Sequence, residues 1–163
     1  MVGTKIPESV LVIIHTSDLQ VLLLERADHP GFWQSVTGSR DTWEEPLIDT
    51  ARRELWEETG IRGDASGVAP ICDWAFSQTY EIYPHWRHRY PAGVTHNVEH
   101  VFSVCVPMDT PIRLSAREHL RHEWCDWSTA AERCFSWSNA KALQTLPRRI
   151  ASVLNDRPAL DQP

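Results

Sequence analysis

The alternation and clustering of apolar residues divide the chain into a few elements. Ser9–Ile14 and Val21–Leu24 are rich in β-branched residues and leucine, and the polar interval 15–20 between them can reverse the chain, which predicts a hairpin. The loop chemistry of Ala27-Asp28-His29-Pro30-Gly31 follows, and Phe32–Thr37 reads as a short extended segment running into Gly38. Leu47, Ile48, Ala51 and Leu55 then recur at spacings of three and four, the stripe of a helix predicted over Pro46–Thr59. Pro46 suits the first helical position because its missing N–H would be unpaired there, and Gly60 suits the end. Ile71–Tyr83 and Asn97–Val106 read as strands joined by a long ordered loop, Pro84–Thr95. Helical spacing returns with Leu143, Leu146, Ile150 and Val153, where Pro147 is expected to kink or divide the helix. Asp156–Pro163, with two prolines, reads as a frayed tail. Helices and strands alternate without strict β-α-β repetition, so the expected class is α/β, a mixed sheet covered by helices, in one domain over residues 1–155.

Composition narrows the partners. Among 163 residues, 16 Lys+Arg face 22 Asp+Glu for a net charge of -6, which argues against coating a phosphate backbone and hence against a nucleic-acid partner. Pro, Gly and Trp follow no fixed period, so repeat and low-complexity architectures lose support. Val10–Ile14 is too short for a secretory core, and no stretch could span a membrane. Cys72, Cys105, Cys125 and Cys134 form no C-x-x-C pair, so reduced thiols in a cytoplasmic chain are expected.

The chemistry concentrates in Arg53-Glu54-Leu55-Trp56-Glu57-Glu58-Thr59-Gly60-Ile61. Glu54 and Glu58, four apart, project from nearly one helix face, and Glu57 flanks them. Such like charges repel, and Arg52 and Arg53 cannot cancel Glu45, Asp49, Glu54, Glu57 and Glu58. A hard divalent cation would turn that repulsion into binding, since Mg²⁺ takes oxygen ligands from carboxylates, water and phosphate. The plain alternative is a solvated acidic face. Two histidine pairs, His119/His122 and His96/His100, have spacings compatible with a rival zinc site, although neither is accompanied by a cysteine pair.

Gly38, then Glu45, then seven residues, then R-E-L-x-E-E-x-G-I resembles the Nudix box of hydrolases that cleave nucleoside diphosphates linked to another group. One departure is that six residues, not five, separate Gly38 from Glu45; the extra one is expected in the loop Ser39–Glu44, leaving the helix register intact. Further segments, Phe32–Ser39, Arg87–Tyr90, Gly93–Thr95 with Asn97 and Glu99, Glu118-His119 and Ser136–Asn139, are similar to the branch of that family acting on dihydroneopterin triphosphate in bacterial folate synthesis. The resemblance runs from about Lys5 to Leu143.

This resemblance implies a Nudix-type α/β/α sandwich and a Mg²⁺-dependent pyrophosphohydrolase, with Mn²⁺ as a substitute, acting on a small-molecule triphosphate; a monomer is expected separately. It implies Glu54, Glu58 and Glu118 as metal ligands, and Lys5, Arg26, Thr37, Tyr80, Glu81, Ile82, Tyr83 and Ser136 as substrate contacts. The residue types suit these roles. Lys5 and Arg26 can hold phosphate, Tyr80 and Tyr83 offer flat faces, and Glu81 can accept from an aminopyrimidinone edge, whereas packing is the competing role for Tyr80 and Ile82. Glu54 and Glu57 are both candidates for the catalytic base, and Arg53 for a clamp that orients them. Two alternatives stay open: a nucleoside triphosphate pyrophosphohydrolase, and a Nudix-fold binding module without catalysis, against which the retained R-E-L-x-E-E-x-G-I argues. Trp86–Tyr90 interleaves cations and aromatics, consistent with a loop near an anionic small-molecule site or one anchored by its own rings.

Overall fold

The computed structural model describes residues 4–155, so the tail expected over 156–163 lies outside the described residues. In chain order the elements are β1 (Glu8–His15), β2 (Gln20–Arg26), β3 (Trp33–Gln34), β4 (Val36–Ser39), α1 (Leu47–Thr59), β5 (Cys72–Glu81), a 3-10 turn (Pro84–Arg89), β6 (His96–Cys105), β7 (His119–Asp126), α2 (Trp127–Arg133) and α3 (Trp137–Asn155). The strands form one mixed sheet in the order β3-β2-β1-β6-β5, with β4 added to β1 and β7 to β2.

Strand alternation sorts β1 between two cores. Val10, Val12 and Ile14 face Ala51 and Leu55 of α1, with Val36, Phe102 and Val104 alongside. Leu11 and Ile13 face Ala130 of α2 and Leu143 and Leu146 of α3, with Val101 and Trp74. A strand buried on both faces must be apolar at every position, and Val10–Ile14 is. The result is the α/β/α arrangement expected from the sequence.

The β1–β2 hairpin forms, but the two strands share only the pair His15↔Val21. From there β1 runs parallel to β6 and antiparallel to β4, while β2 pairs with β7. The partners diverge, and the cleft described below opens between β4 and the far end of the β2–β7 pair.

Several expected boundaries shift. Pro46 is the N-cap of α1, with extended backbone, and not its first helical residue; Gly60 closes the helix in the left-handed region (φ 71°), its N–H donating to the Trp56 carbonyl at 2.8 Å. The segment expected to be continuous over Phe32–Thr37 divides at Ser35, whose N–H is taken by Asn139 Oδ1 of α3 at 2.8 Å. Within the expected loop Pro84–Thr95, Pro84 starts a 3-10 turn. The C-terminal helix runs through Pro147 undivided.

Candidate active site

One clamp organises the acidic helix. Arg53 donates from Nε and Nη2 to Glu45 at 3.0 and 3.1 Å, from Nη1 to Glu54 Oε1 at 2.9 Å, and from Nη2 to the Ser39 carbonyl at 3.0 Å; Glu57 lies 3.5 Å from Nη1. Arg53 thereby ties α1 to the end of β4. The extra residue before Glu45 is absorbed by the loop: Arg40 pairs with Glu8 at 3.0 Å and donates to the Trp43 and Glu45 carbonyls. Glu45, held by the Arg53 guanidinium, has its carboxyl lowered to about 2.

Gly38 explains why a glycine precedes this loop. A methyl group there would overlap the Glu54 carboxylate, which packs directly on the strand backbone. Glu54 is 8% exposed and Glu58 3% exposed. Burial, then the Glu58 charge, pushes Glu54 up to about 8 against the pull of Arg53. Glu58 is raised well above the carboxylate range by burial and then by Glu118. Such destabilised carboxylates are what a divalent cation would relieve.

Glu58 also meets the sheet on the other side of the cleft. Its Oε2 is 3.0 Å from His119 Nε2 on β7, and Glu58, Glu118 and His119 bring ligand atoms within 4.8 Å of one another. Burial lowers the His119 pKa, favouring the neutral, ligating imidazole. Oxygen donors with one imidazole suit a divalent cation. Glu54 is outside this closest group but packs on the neighbouring Gly38. Glu57 is half-exposed on α1. Among the described residues no other such group of three occurs, and the rival zinc pairs fail for a geometric reason. His119 and His122 lie on strand β7, where residues three apart face opposite sides; His96 and His100 are four apart on strand β6, separated by ~13 Å along the chain.

From this acidic end extends a cleft of about 450 Å³, into whose lining fall Glu58 and Glu118 and also Lys5, Arg26, Thr37, Tyr80, Glu81, Ile82, Tyr83 and Ser136. Glu54, Glu57 and Arg53 stand behind that lining. Arg26 is presented rigidly: Nε and Nη2 pair with Asp28 at 2.8 Å each, Nη1 donates to Gln34 at 3.0 Å, and the guanidinium lies 4.6 Å over Trp86. The Arg26 hydrogen bonds lower the Asp28 carboxyl to about 2. Lys5 stands at the cleft mouth, where crowding by protein and then the Arg89 and Arg26 charges lower its pKa, with Glu54 and Glu118 opposing.

Beside Arg26 stands an aromatic wall. Tyr83 packs edge-on to Trp86 at 5.5 Å, Trp86 edge-on to Phe135 at 5.9 Å, and Phe135 stacks on Phe32 at 4.6 Å. Ile82 is buried but belongs to neither core, and lines the cleft. The Tyr80 hydroxyl accepts from Asn97 Nδ2 at 3.1 Å. Glu81 is exposed and paired with Arg87. Ser136 caps α3, its Oγ accepting from the Asn139 N–H at 3.2 Å.

Sequence reasoning left Phe135 and Gln78 without site roles, took Glu99 only as part of a resembling segment, and met His119 only in the segment Glu118-His119 and in a zinc pair with His122, not as the partner of Glu58. His119 follows Glu118 directly, and the strand that brings it inward carries too mixed a pattern to be read as one.

The family model of the NUDIX domain matches residues 5–146. The chain is 41% identical over 141 residues to the dihydroneopterin triphosphate diphosphatase of Escherichia coli strain K12, covering 86% of this chain and 91% of that one. It is 41% identical over 145 residues to the protein of the same name from Haemophilus influenzae, covering 88% and 89%. The solved structure of the E. coli dihydroneopterin triphosphate pyrophosphohydrolase superposes with a TM-score of 0.80 at 40% identity, over 87% of this chain and 95% of that chain.

Proposed function

This chain belongs to the NUDIX family, and from that premise we propose that it hydrolyses dihydroneopterin triphosphate to the monophosphate and pyrophosphate, with Mg²⁺ as the metal and Mn²⁺ able to replace it. The observation that carries the reading is a single cleft joining an acidic end, Glu58 with Glu118 and His119, to an aromatic wall, with Lys5 and Arg26 also lining it. A triphosphate attached to a flat ring has matching chemistry at its two ends.

Glu54, Glu58 and Glu118 are the residues assigned to the metal, with His119 beside them. A bound divalent cation neutralises phosphate charge and acidifies water. The rest falls to the chain. Arg26, held by Asp28 and Gln34, and Lys5 bind phosphate oxygens and offset the charge growing on the leaving pyrophosphate. Arg53 keeps Glu54 turned toward Gly38. Glu54, buried against Gly38, and Glu57, half-exposed on the same helix, are the two candidates for accepting the proton of the attacking water. Tyr83, with Trp86 and Phe135, supplies a stacking surface for the ring, while Thr37, Tyr80, Ile82 and Ser136 shape the cavity around it.

Among the described residues no helix is long and apolar enough to cross a membrane, and a cytoplasmic, monomeric enzyme in folate synthesis is part of the proposal. The test is kcat/KM across a panel of triphosphates. The pterin triphosphate is expected to lead; a purine or pyrimidine nucleoside triphosphate turned over faster would move the chain to the nucleotide-pool reading.

A further inference from the structure

On the cleft side of the sheet, one row of register partners is polar across four strands: Ser39, Ser9, Glu99 and Gln78. Asn97 lies two positions before Glu99 on β6 and so shares its face. The neighbouring row on that face, Leu11 with Val101, is core. Glu99 is 4% exposed and lines the cleft, yet its Oε1 has no hydrogen-bond partner; Gln78 Oε1 and Asn97 Oδ1 share that condition. Three of the five buried, unpartnered side-chain polar atoms among the described residues are thus acceptor oxygens of one patch.

The donors of this patch are spent inward. Gln78 Nε2 donates to the Ser138 carbonyl at 2.8 Å, and Asn97 Nδ2 to Ser9 Oγ at 2.7 Å and the Tyr80 hydroxyl at 3.1 Å. What remains is an excess of acceptors: burial, opposed only by the Ser138 hydroxyl, raises the Glu99 carboxyl to about 7, and Oε1 stays without a partner. A buried carboxylate on a cleft wall is costly unless N–H groups reach it.

From this geometry we infer that Glu99 reads the ring edge of the substrate, its carboxylate accepting the adjacent N3–H and 2-amino hydrogens of an aminopyrimidinone. The inference rests on the pterin reading above and adds to it the residue that selects the ring. Two neighbouring donors pointing the same way match two carboxylate oxygens, the pairing a carboxylate makes with other forked N–H groups. Glu81, the other carboxylate near the ring wall, is exposed and already engaged by Arg87. Stacking on the aromatic wall fixes the ring plane; Glu99 fixes the orientation within it.

The test is equilibrium binding, followed by pterin fluorescence, of 7,8-dihydroneopterin monophosphate and its 2-desamino analogue to wild-type protein and to Glu99→Gln, with inorganic pyrophosphate as a control for the phosphate end. The natural ring should bind wild type at least ~10-fold more tightly than the analogue, and Glu99→Gln should lose at least ~10-fold for the natural ring but under ~3-fold for the analogue and for pyrophosphate. Equal losses for both rings, or no loss, overturn the assignment. If Glu99→Gln fails to fold, the wild-type comparison decides alone: equal affinity for the two rings overturns it. Wild-type protein that cleaves nucleoside triphosphates but neither binds nor cleaves the pterin compound overturns the substrate reading and this inference together, a result distinct from failure of Glu99 alone.

Discussion

Replacing Glu54 with glutamine should destroy activity while making the metal-free protein more stable. The carboxyl sits at about 8 when folded, against an ordinary 4.5, because it is buried and faces the Glu58 charge. An acid whose folded pKa is raised costs stability once pH exceeds its unfolded value, and the cost is complete above the folded value. The penalty therefore grows between pH ~4.5 and ~8 and is absent below. The difference, 8 minus 4.5, at ~1.4 kcal/mol per unit gives a ceiling of ~5 kcal/mol. The pull of Arg53 is already contained in that value, and the glutamine amide, a buried polar group that cannot pair as fully as the carboxyl beside Glu58, takes ~1–3 kcal/mol off the ceiling. A net gain of ~2–4 kcal/mol remains, or roughly 4–16 °C in melting temperature for a chain of this size. Scanning calorimetry in EDTA should show the gain at pH 8.5 and its disappearance at pH 4.5, with turnover in Mg²⁺ lost at least ~100-fold. A variant melting at or below wild type at pH 8.5 would refute the account of this helix as a repulsive site awaiting a cation.

Gly38→Ala should lower stability by ~1–3 kcal/mol through overpacking and lower kcat/KM by ~100-fold, because the added methyl meets the Glu54 carboxylate; combining it with Glu54→Ala should restore the melting temperature but not turnover. Glu118→Ala should weaken Mg²⁺ activation at least ~10-fold, while Glu123→Ala, which loses only a pair with Arg133 at 2.8 Å, should change it less than twofold; similar Mg²⁺ titrations would remove Glu118 from the site. Tyr83→Ala should cost pterin triphosphate turnover ~1–3 kcal/mol more than turnover of a poor purine analogue, whereas Arg26→Ala should cost both alike; steady-state kcat/KM for the two substrates on both variants decides.

Much of this was legible from residues alone, for identifiable reasons. A strand buried on both faces writes itself as Val10–Ile14, and α1 is bounded by Pro46 and Gly60 with a clear stripe between. The acidic helix announces its cost through charges at helical spacing. What escaped reading depends on contacts between distant residues. Ser35 breaks its strand because Asn139, 104 positions away, takes its N–H. Residues 119–126 form a strand whose Leu120 is exposed and whose His119 is buried, an inversion of the usual pattern that only the Glu58 contact explains. The helix that follows had a signal that went unused: Asp126, which accepts from the Thr129 N–H as its N-cap. Glu99 looks like any strand acid until register places it beside Ser9 and Gln78 with an oxygen unpartnered.

In the proposed function one cleft holds a pterin ring at its aromatic wall and delivers a triphosphate to Glu54, Glu58 and Glu118. Phosphorus NMR of the products formed from dihydroneopterin triphosphate tests it most directly. One pyrophosphate and one dihydroneopterin monophosphate are expected per turnover, only with a divalent cation present, and neither from Glu58→Gln. Release of orthophosphate, or undiminished pyrophosphate release by Glu58→Gln, would contradict it.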